Sequence, residues 1–529
     1  MPLLRPYDRI VAGLSRRQLL NVASVLGAAA IATPLVGRSA LGKPVFRNYP
    51  FTMGVASGDP LPDGVVLWTR LAPDPLNGGG MPGQPVEVNW EVSATTSFAN
   101  PVQKGTYLAR PELNHSVHVE VSGLQPGREY FYRFLAGDEV SQTGRTKTAP
   151  AFGAAVARIN YGVVGCNHYE AGYFTAFRRA AEQAYDFIIH TGDYIYESRA
   201  NGNRAPDTVV RQHQGDEIFT IVDYRNRYAQ YKMDRDLMAA HASAPWLMTR
   251  DDHEVENNYT TVDENNIPPE IFALRRAAAY QAYYENMPLR ASAMPEGSHQ
   301  IVYRRLQYGD LMDIALLDTR QYRSDQPCGD GSRTGCAAIN DPNATMMGDV
   351  QEKWLYGILP TVKSKWTLIS QQVPMYMRDN IKAAPEGQFS MDKWDAYTAA
   401  RTRMFTALRD SKAPNPVVLS GDLHLAYASD LKMDFRNPNS ETVGVEFTGT
   451  SVATGGDGTE VNAAWETMKG DNPWLKFHSA KRGFLNMTAT PNEMRADFMV
   501  IDKVTEPNLP AKRVATGVVT AGKPGLQMA

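Results

Sequence analysis

Six short runs in this chain carry residues able to bind metal or move protons. They are Cys166-Asn167-His168, Gly192-Asp193 with Tyr196, Arg250-Asp251-Asp252-His253-Glu254 with Asn257-Asn258, Gln371-Gln372, Gly421-Asp422-Leu423-His424, and Arg320 in "LLDTRQYR". Thiolate, carboxylate, phenolate and imidazole together form a donor set for a polynuclear metal centre. Two cations a few ångströms apart need a bridging anion, and Asp193 is the natural bridge. A trivalent ion favours anionic donors, and phenolate from Tyr196 beside thiolate from Cys166 points to ferric iron. Asp252, Asp422 and a Gln or Asn amide, here Gln371, suit a harder divalent ion such as calcium. Imidazole and carboxylate would equally accept zinc or manganese. Taken singly, each run has a plainer use: Gly-Asp pairs make turns and caps, and a lone histidine is commonly a buried hydrogen-bonder.

What joins them is where they fall. An apolar run precedes nearly every one: "YGVVG" before Cys166, "DFIIH" before Asp193, "PWLMT" before Asp252, "WTLIS" before Gln371 and "PVVLS" before Asp422. Between several of these strands lie helical patterns, "AGYFTAFRRAAEQA", "PEIFALRRAAAYQAYYEN" and "AYTAARTRMFTALRD". Strands alternating with helices predict an α/β domain. In such sheets, ligands bind beyond the carboxyl ends of the strands. The donors would therefore share one edge.

Upstream, the segment from about residue 43 to 150 reads differently. "GVVLWTRL", "VEVNWEVSA", "HSVHVEVSGL" and "REYFYRFLAG" are short β-type runs separated by Gly, Pro and Asp turns. A Leu-x-Pro-Gly turn leading into a Tyr-rich strand, "SGLQPGREYFYRF", suggests a fibronectin-type all-β domain. "RTKTAPAFG" then serves as a linker, and residues 151–529 form the second domain.

The first 42 residues have the form of a targeting segment. Ser15-Arg16-Arg17-x-Leu19-Leu20 precedes a weakly apolar run from Val22 to Val36, a pattern similar to a twin-arginine signal peptide. Cleavage would fall after Ala32 or near Ala40–Gly42. The expected partner is the twin-arginine translocase, the expected location periplasmic or secreted, and no membrane span is expected in the mature chain. In an oxidising compartment Cys328 and Cys336, flanking a polar loop, are close enough to pair, leaving Cys166 free. At 529 residues with a formal net charge of −3, the chain has no basic excess to neutralise nucleic-acid phosphates. A small anionic substrate would have to be held locally.

"GVASGDPLPDGVVLWTRLAP", "HTGDYIYE", "TRDDHEVENNY", "LLDTRQYR", "MDKWDAYTAAR" and "SGDLHLAY" together resemble the alkaline phosphatase D (PhoD-like) family of metallophosphoesterases, relatives of purple acid phosphatases and calcineurin. The resemblance implies a calcineurin-like β-sandwich flanked by helices. It also implies hydrolysis of phosphate esters by a metal-bound hydroxide, without a covalent phospho-enzyme. By the same resemblance Cys166, Asp193, Tyr196, Asp252, Asp422 and His424 bind metal, while His253 faces the phosphate. Arg401 and Arg320 would contact substrate oxygens. Two positions depart from the family pattern: Asn167 stands where Gln is frequent, and Thr398 where Pro is usual. A phospholipase D-type diesterase acting on phospholipid or teichoic-acid diesters would share the site. A cell-surface binding protein with a decayed catalytic domain is the reading from another class, and an intact donor set argues against it.

Overall fold

The computed structural model describes residues 43–202, 209–261, 267–381 and 387–529. The arginine pair at 16–17 and its apolar run lie outside the described residues.

Two β-layers face each other across an apolar core. In the first, the strands Ile159–Val164, Phe187–His190, Pro245–Met248 and Val55–Leu61 run parallel in that order. In the second, Met312–Leu316, Trp366–Ser370, Pro416–Ser420 and Thr442–Thr448 are again parallel. The long strand Leu475–Ala489 belongs to both, pairing with Ala426–Lys432 at one end and with Ile159–Val164 at the other. The parallel strands are buried along nearly their whole length, which is why they read as continuous apolar runs and not as alternation. Between the layers Val163, Phe187, Ile189, Leu247, Leu316, Leu368, Leu419 and Phe447 form one cluster.

Helices cover the outer faces. Pro269–Asn286 begins with Pro in its first turn and buries Phe272, Tyr280, Tyr283 and Tyr284 against the first layer. Ile221–Lys232 starts at a reciprocal cap, with Thr220 and Asp223 each bonding the other's backbone. Thr398–Ser411 covers the second layer through Ala400, Met404, Phe405 and Leu408. Thr398 occupies its first position, and its hydroxyl donates to the Ile339 carbonyl at 2.8 Å. A proline there would supply the turn but not that bond. Among the described residues, no helix is long and apolar enough to cross a membrane.

The strands before residue 150 divide between two sheets. Val86–Ser93, Gln103–Ala109, Glu129–Ala136, Glu139–Val140 and Gly144–Lys147 form a separate antiparallel sheet. Val55–Leu61, Gly64–Arg70 and Ser116–Val121 instead extend the first layer, because Val55–Leu61 pairs in parallel with Pro245–Met248. The Trp68 indole donates to the Glu285 carbonyl at 3.0 Å, and the Arg70 guanidinium to Asn286 at 3.1 Å. These contacts tie the N-terminal strands to the end of the Pro269–Asn286 helix. Cys328 and Cys336 are disulfide-bonded, and Cys166 is free and buried.

Candidate metal centre

The carboxyl ends of the parallel strands in both layers open onto one edge, and each emits a loop that turns sharply. Cys166, Asp193, Asp422 and His424 all have left-handed backbone, with φ of 55°, 56°, 64° and 58°. For non-glycine residues that conformation costs roughly 1 kcal/mol or more each. It reverses the chain directly after the strand and turns the donors back toward the sheet edge. Gly192, at φ +116°, makes the approach possible: a Cβ there would lie 2.4 Å from Cβ of Asp251.

The first donor group is Cys166, Asp193 and His424, whose ligand atoms lie within 4.8 Å of one another. Tyr196 joins it, since its phenol donates to Asp193 Oδ2 at 2.7 Å and lies 3.0 Å from His424 Nε2. Thr454, from the loop after Thr442–Thr448, places its hydroxyl 2.9 Å from the phenol oxygen and donates to the Cys166 carbonyl at 2.6 Å. Asp193 Oδ1 is buried with no hydrogen-bond partner. Burial, and then Asp193, push both the Cys166 thiol and the Tyr196 phenol well above their usual pKa. A convergence of anionic donors around an unpartnered carboxylate oxygen fits a highly charged cation, which would supply the missing partner and reverse both shifts.

The second half is carboxylate-rich. Asp193, Asp252 and His253 form one close group, and Asp251, Asp252 and Asp422 another. Arg320 runs through it fully buried: Nε pairs with Asp251, Nη1 with Asp392 at 2.7 Å, and Nη2 with Asp422 at 2.7 Å and Asp252 at 3.5 Å. Lys393 bonds Asp392 at 2.6 Å and pairs with Asp422. Burial alone would raise the Asp252 carboxyl, but Arg320 and His253 hold it below the usual carboxylate range. His253 Nδ1 donates to Glu197 Oε2 at 2.7 Å, and its ring lies over Tyr196 with centroids 4.1 Å apart. Burial works against the imidazolium, yet Glu197, Asp252 and Asp193 lift it well above the usual histidine pKa.

Surrounding residues hold the loops in place. The Glu254 carboxylate accepts backbone N–H bonds from Asp193 at 3.2 Å, Tyr194 at 2.5 Å and Asp251 at 2.8 Å. Burial, then Asp193, push its pKa up to about 8. Asn167 donates to the Tyr194 carbonyl at 2.7 Å and faces His190 Nε2 at 2.9 Å, so it joins the Cys166 loop to the Asp193 loop.

The structure thus brings together Cys166, Asp193, Tyr196, Asp252, His253, Asp422 and His424, with Arg320 among them. It does not bring Gln371 or Arg401 into the group. The Gln371 amide folds back on its own chain, donating to the Val373 carbonyl and accepting from Trp394 Nε1 at 3.2 Å. The Arg401 guanidinium is engaged by Asp395 at 2.5 Å and the Met375 carbonyl at 3.3 Å, and it lines a separate cavity of about 380 Å³. Arg320 meets carboxylates on every side, the surroundings of a structural counter-charge. Glu197, Asp392, Lys393 and Thr454 are the additions that residue patterns did not single out, and Asp251 stands in one of the runs without an assigned role. Asp251 and Glu197 adjoin chosen residues, so neighbourhood was the available signal. Nothing local marks Thr454.

A second buried cluster, His168, Glu170 and His213, also has ligand atoms in proximity. Its groups already serve the fold. His213 bonds the Ser198 carbonyl at 3.0 Å and the Tyr231 hydroxyl at 2.9 Å, and Glu170 accepts from the backbone of His213 and Asn201.

Comparison with known proteins agrees with this architecture. The PhoD-like phosphatase family profile matches residues 161–498, and the profile of the PhoD-like phosphatase N-terminal domain matches residues 37–150. The chain is 46% identical over 485 residues to alkaline phosphatase D of Bacillus subtilis (strain 168), covering 92% of this chain and 83% of that protein. A solved structure described as that of PhoD superposes with a TM-score of 0.90 at 46% identity, covering 92% of this chain and 93% of the other. With the strand-end donor set in place and both profiles matched in order, the chain belongs to the PhoD-like phosphatase family of enzymes.

Proposed function

We propose that this protein hydrolyses phosphate esters at a two-cation centre. In this reading Cys166, Asp193, Tyr196 and His424 hold ferric iron, and Asp193, Asp252 and Asp422 hold calcium, with zinc or manganese as alternatives in the second position. The observation that carries the proposal is the unpartnered, buried Asp193 Oδ1 between those two donor groups. Cations held by these residues would supply Lewis acidity and lower the pKa of a water at the site.

The chain's own residues do the rest. With Nδ1 held on Glu197, the His253 imidazolium offers its Nε2 proton to a phosphoryl or leaving-group oxygen. Tyr196 and Thr454 fix the Cys166 loop against the Asp193 loop. Arg320 keeps four carboxylates together that would otherwise repel. Arg320 therefore acts as a positioning residue.

The natural substrate in this reading is a small phosphate ester outside the cytoplasm. Export as a folded protein is supported by Arg16-Arg17 ahead of a weakly apolar run, followed by a β-domain over 43–150 and a catalytic domain over 151–529. The relative named alkaline phosphatase D supports phosphate-ester hydrolysis, and a phospholipase D-type diesterase would use the same donors. Metal analysis of protein purified from its native host, with rates on p-nitrophenyl phosphate and bis-p-nitrophenyl phosphate, tests the proposal. Iron with a second metal, and turnover lost on chelation, is the expected result. Full turnover in metal-free protein would overturn it, and the ratio of the two rates separates monoesterase from diesterase.

A further inference from the structure

The carboxylate half of the centre contains cations of its own, and they differ in how firmly they are held. Arg320 is fully buried, and all three of its nitrogens are engaged by carboxylates from separate loops. A planar guanidinium fixed this way cannot leave without stranding several charges. Lys393 is a point charge on a flexible four-carbon stem. Its side chain is 14% exposed, and its ammonium bonds Asp392 Oδ2 at 2.6 Å and pairs with Asp422 Oδ2. It also lines a recess of about 10 Å³ together with Tyr376, Arg378 and Leu423, the last between Asp422 and His424. Arg378 Nε faces no hydrogen-bond partner.

Asp422 is also one of the three close carboxylates with Asp251 and Asp252. Its Oδ1 is taken by Arg320 at 2.7 Å, so Lys393 sits on its remaining oxygen. A divalent ion binding this triad through Asp422 would lie within a few ångströms of the ammonium, where two positive charges repel strongly in a buried setting. One of them must give way, and the lysine, partly exposed on a flexible stem, is held less firmly than the buried guanidinium.

Building on the two-cation reading above, we propose that Lys393 is the resident counter-cation of Asp422, displaced when a divalent ion binds the triad. The freed ammonium, beside the carboxylate that then holds the ion, becomes available to an anionic oxygen of the bound phosphate ester. Lys393 is thereby a metal-coupled specificity residue: it occupies the carboxylate before loading and faces the substrate after it.

Calorimetric titration of the chelator-treated mature protein with calcium chloride tests this, using wild type, Lys393→Met and Lys393→Gln. Both variants should bind calcium roughly tenfold tighter or more, because the competing charge is gone. Inorganic phosphate should inhibit the reloaded variants several-fold more weakly. A merely structural lysine would give the opposite sign, with weaker calcium binding in the variants. The Gln variant keeps a donor for Asp392, so a folding defect confined to Met leaves the measurement intact. Wild-type protein that takes up no calcium, and no zinc or manganese when titrated with their chlorides, overturns the two-cation reading and this proposal together. Calcium uptake by wild type without tightening in the variants overturns the proposal alone, and unchanged phosphate inhibition overturns its substrate half.

Discussion

The phenol of Tyr196 donates to Asp193 Oδ2 at 2.7 Å, while the other oxygen of that carboxylate is buried without a partner. The two residues are three apart in sequence, and the left-handed turn at Asp193 brings them face to face. Tyr194, between them, points elsewhere: its hydroxyl meets His241 Nε2 at 2.7 Å.

That divergence yields a spectroscopic prediction. Phenolate on ferric iron absorbs visible light, so the holoprotein should be coloured. Tyr196→Phe should bleach it with the fold intact, whereas Tyr194→Phe should stay coloured. Absorption spectra of the three proteins at equal iron content decide the matter. A colourless wild type holding stoichiometric zinc contradicts the ferric assignment.

Asp193 and His253 should separate metal binding from turnover. His253→Ala removes the proton donor opposite Glu197 but no ligand of the iron group, so kcat should fall 10²-fold or more with metal content near wild type. Asp193→Asn should lose both, because it removes the negative charge shared by the two donor groups. Elemental analysis beside steady-state kinetics checks the split, and equal metal loss in both variants would contradict it.

Arg320 offers a stability test. Removing a fully buried cation from among carboxylates leaves unpaired charge and costs on the order of 3–5 kcal/mol. Arg320→Gln should therefore lower Tm sharply in metal-free protein. Calcium chloride should restore part of the loss, since the bound ion supplies counter-charge to the same oxygens. Thermal melts with and without calcium measure this, and a Tm unchanged in both conditions would contradict the role.

Glu446 gives a pH prediction away from the metal ligands. Its buried carboxylate accepts from the Ser420 hydroxyl at 2.5 Å and from the backbone of Met375 and Tyr376 at 3.0 Å, which fixes the strand end before Asp422. Burial pushes its pKa up to about 7 from 4.5, against the opposing effect of those bonds. The folded protein therefore holds the proton more tightly than the unfolded chain. This contribution to stability is complete below the ordinary pKa and fades as pH rises through 7, a loss of about 3 kcal/mol. Glu446→Gln should flatten that decline between pH 4.5 and 8. Denaturant unfolding at several pH values checks it, and parallel curves for the two proteins would contradict it.

The arginine pair at 16–17 predicts its own outcome. Replacing both with Lys should leave precursor in the cytoplasm, seen by fractionation and immunoblotting. Mature protein outside the cell at wild-type level would contradict the export reading.

Much of this protein could be read from residues alone. Fully buried parallel strands show as unbroken apolar runs, so "DFIIH" and "PVVLS" announced strands whose exits carry Asp193 and Asp422. The unusual pairing of thiol and phenol at strand exits marked Cys166 and Tyr196 as candidate metal donors, and the Thr454 hydroxyl bonds both residues. Position along the sheet edge did not determine where each side chain points. Gln371 leaves its strand at the correct edge, yet its amide closes on Val373 and Trp394. Arg401 lies in a motif of the site but turns to Asp395, while Arg320 gathers carboxylates from loops 69 to 102 residues away. Those outcomes depend on left-handed turns and on charge pairing between distant loops. Strand periodicity reports burial, which is local; the partner of a buried charge is set only when the layers close and every carboxylate must find a cation.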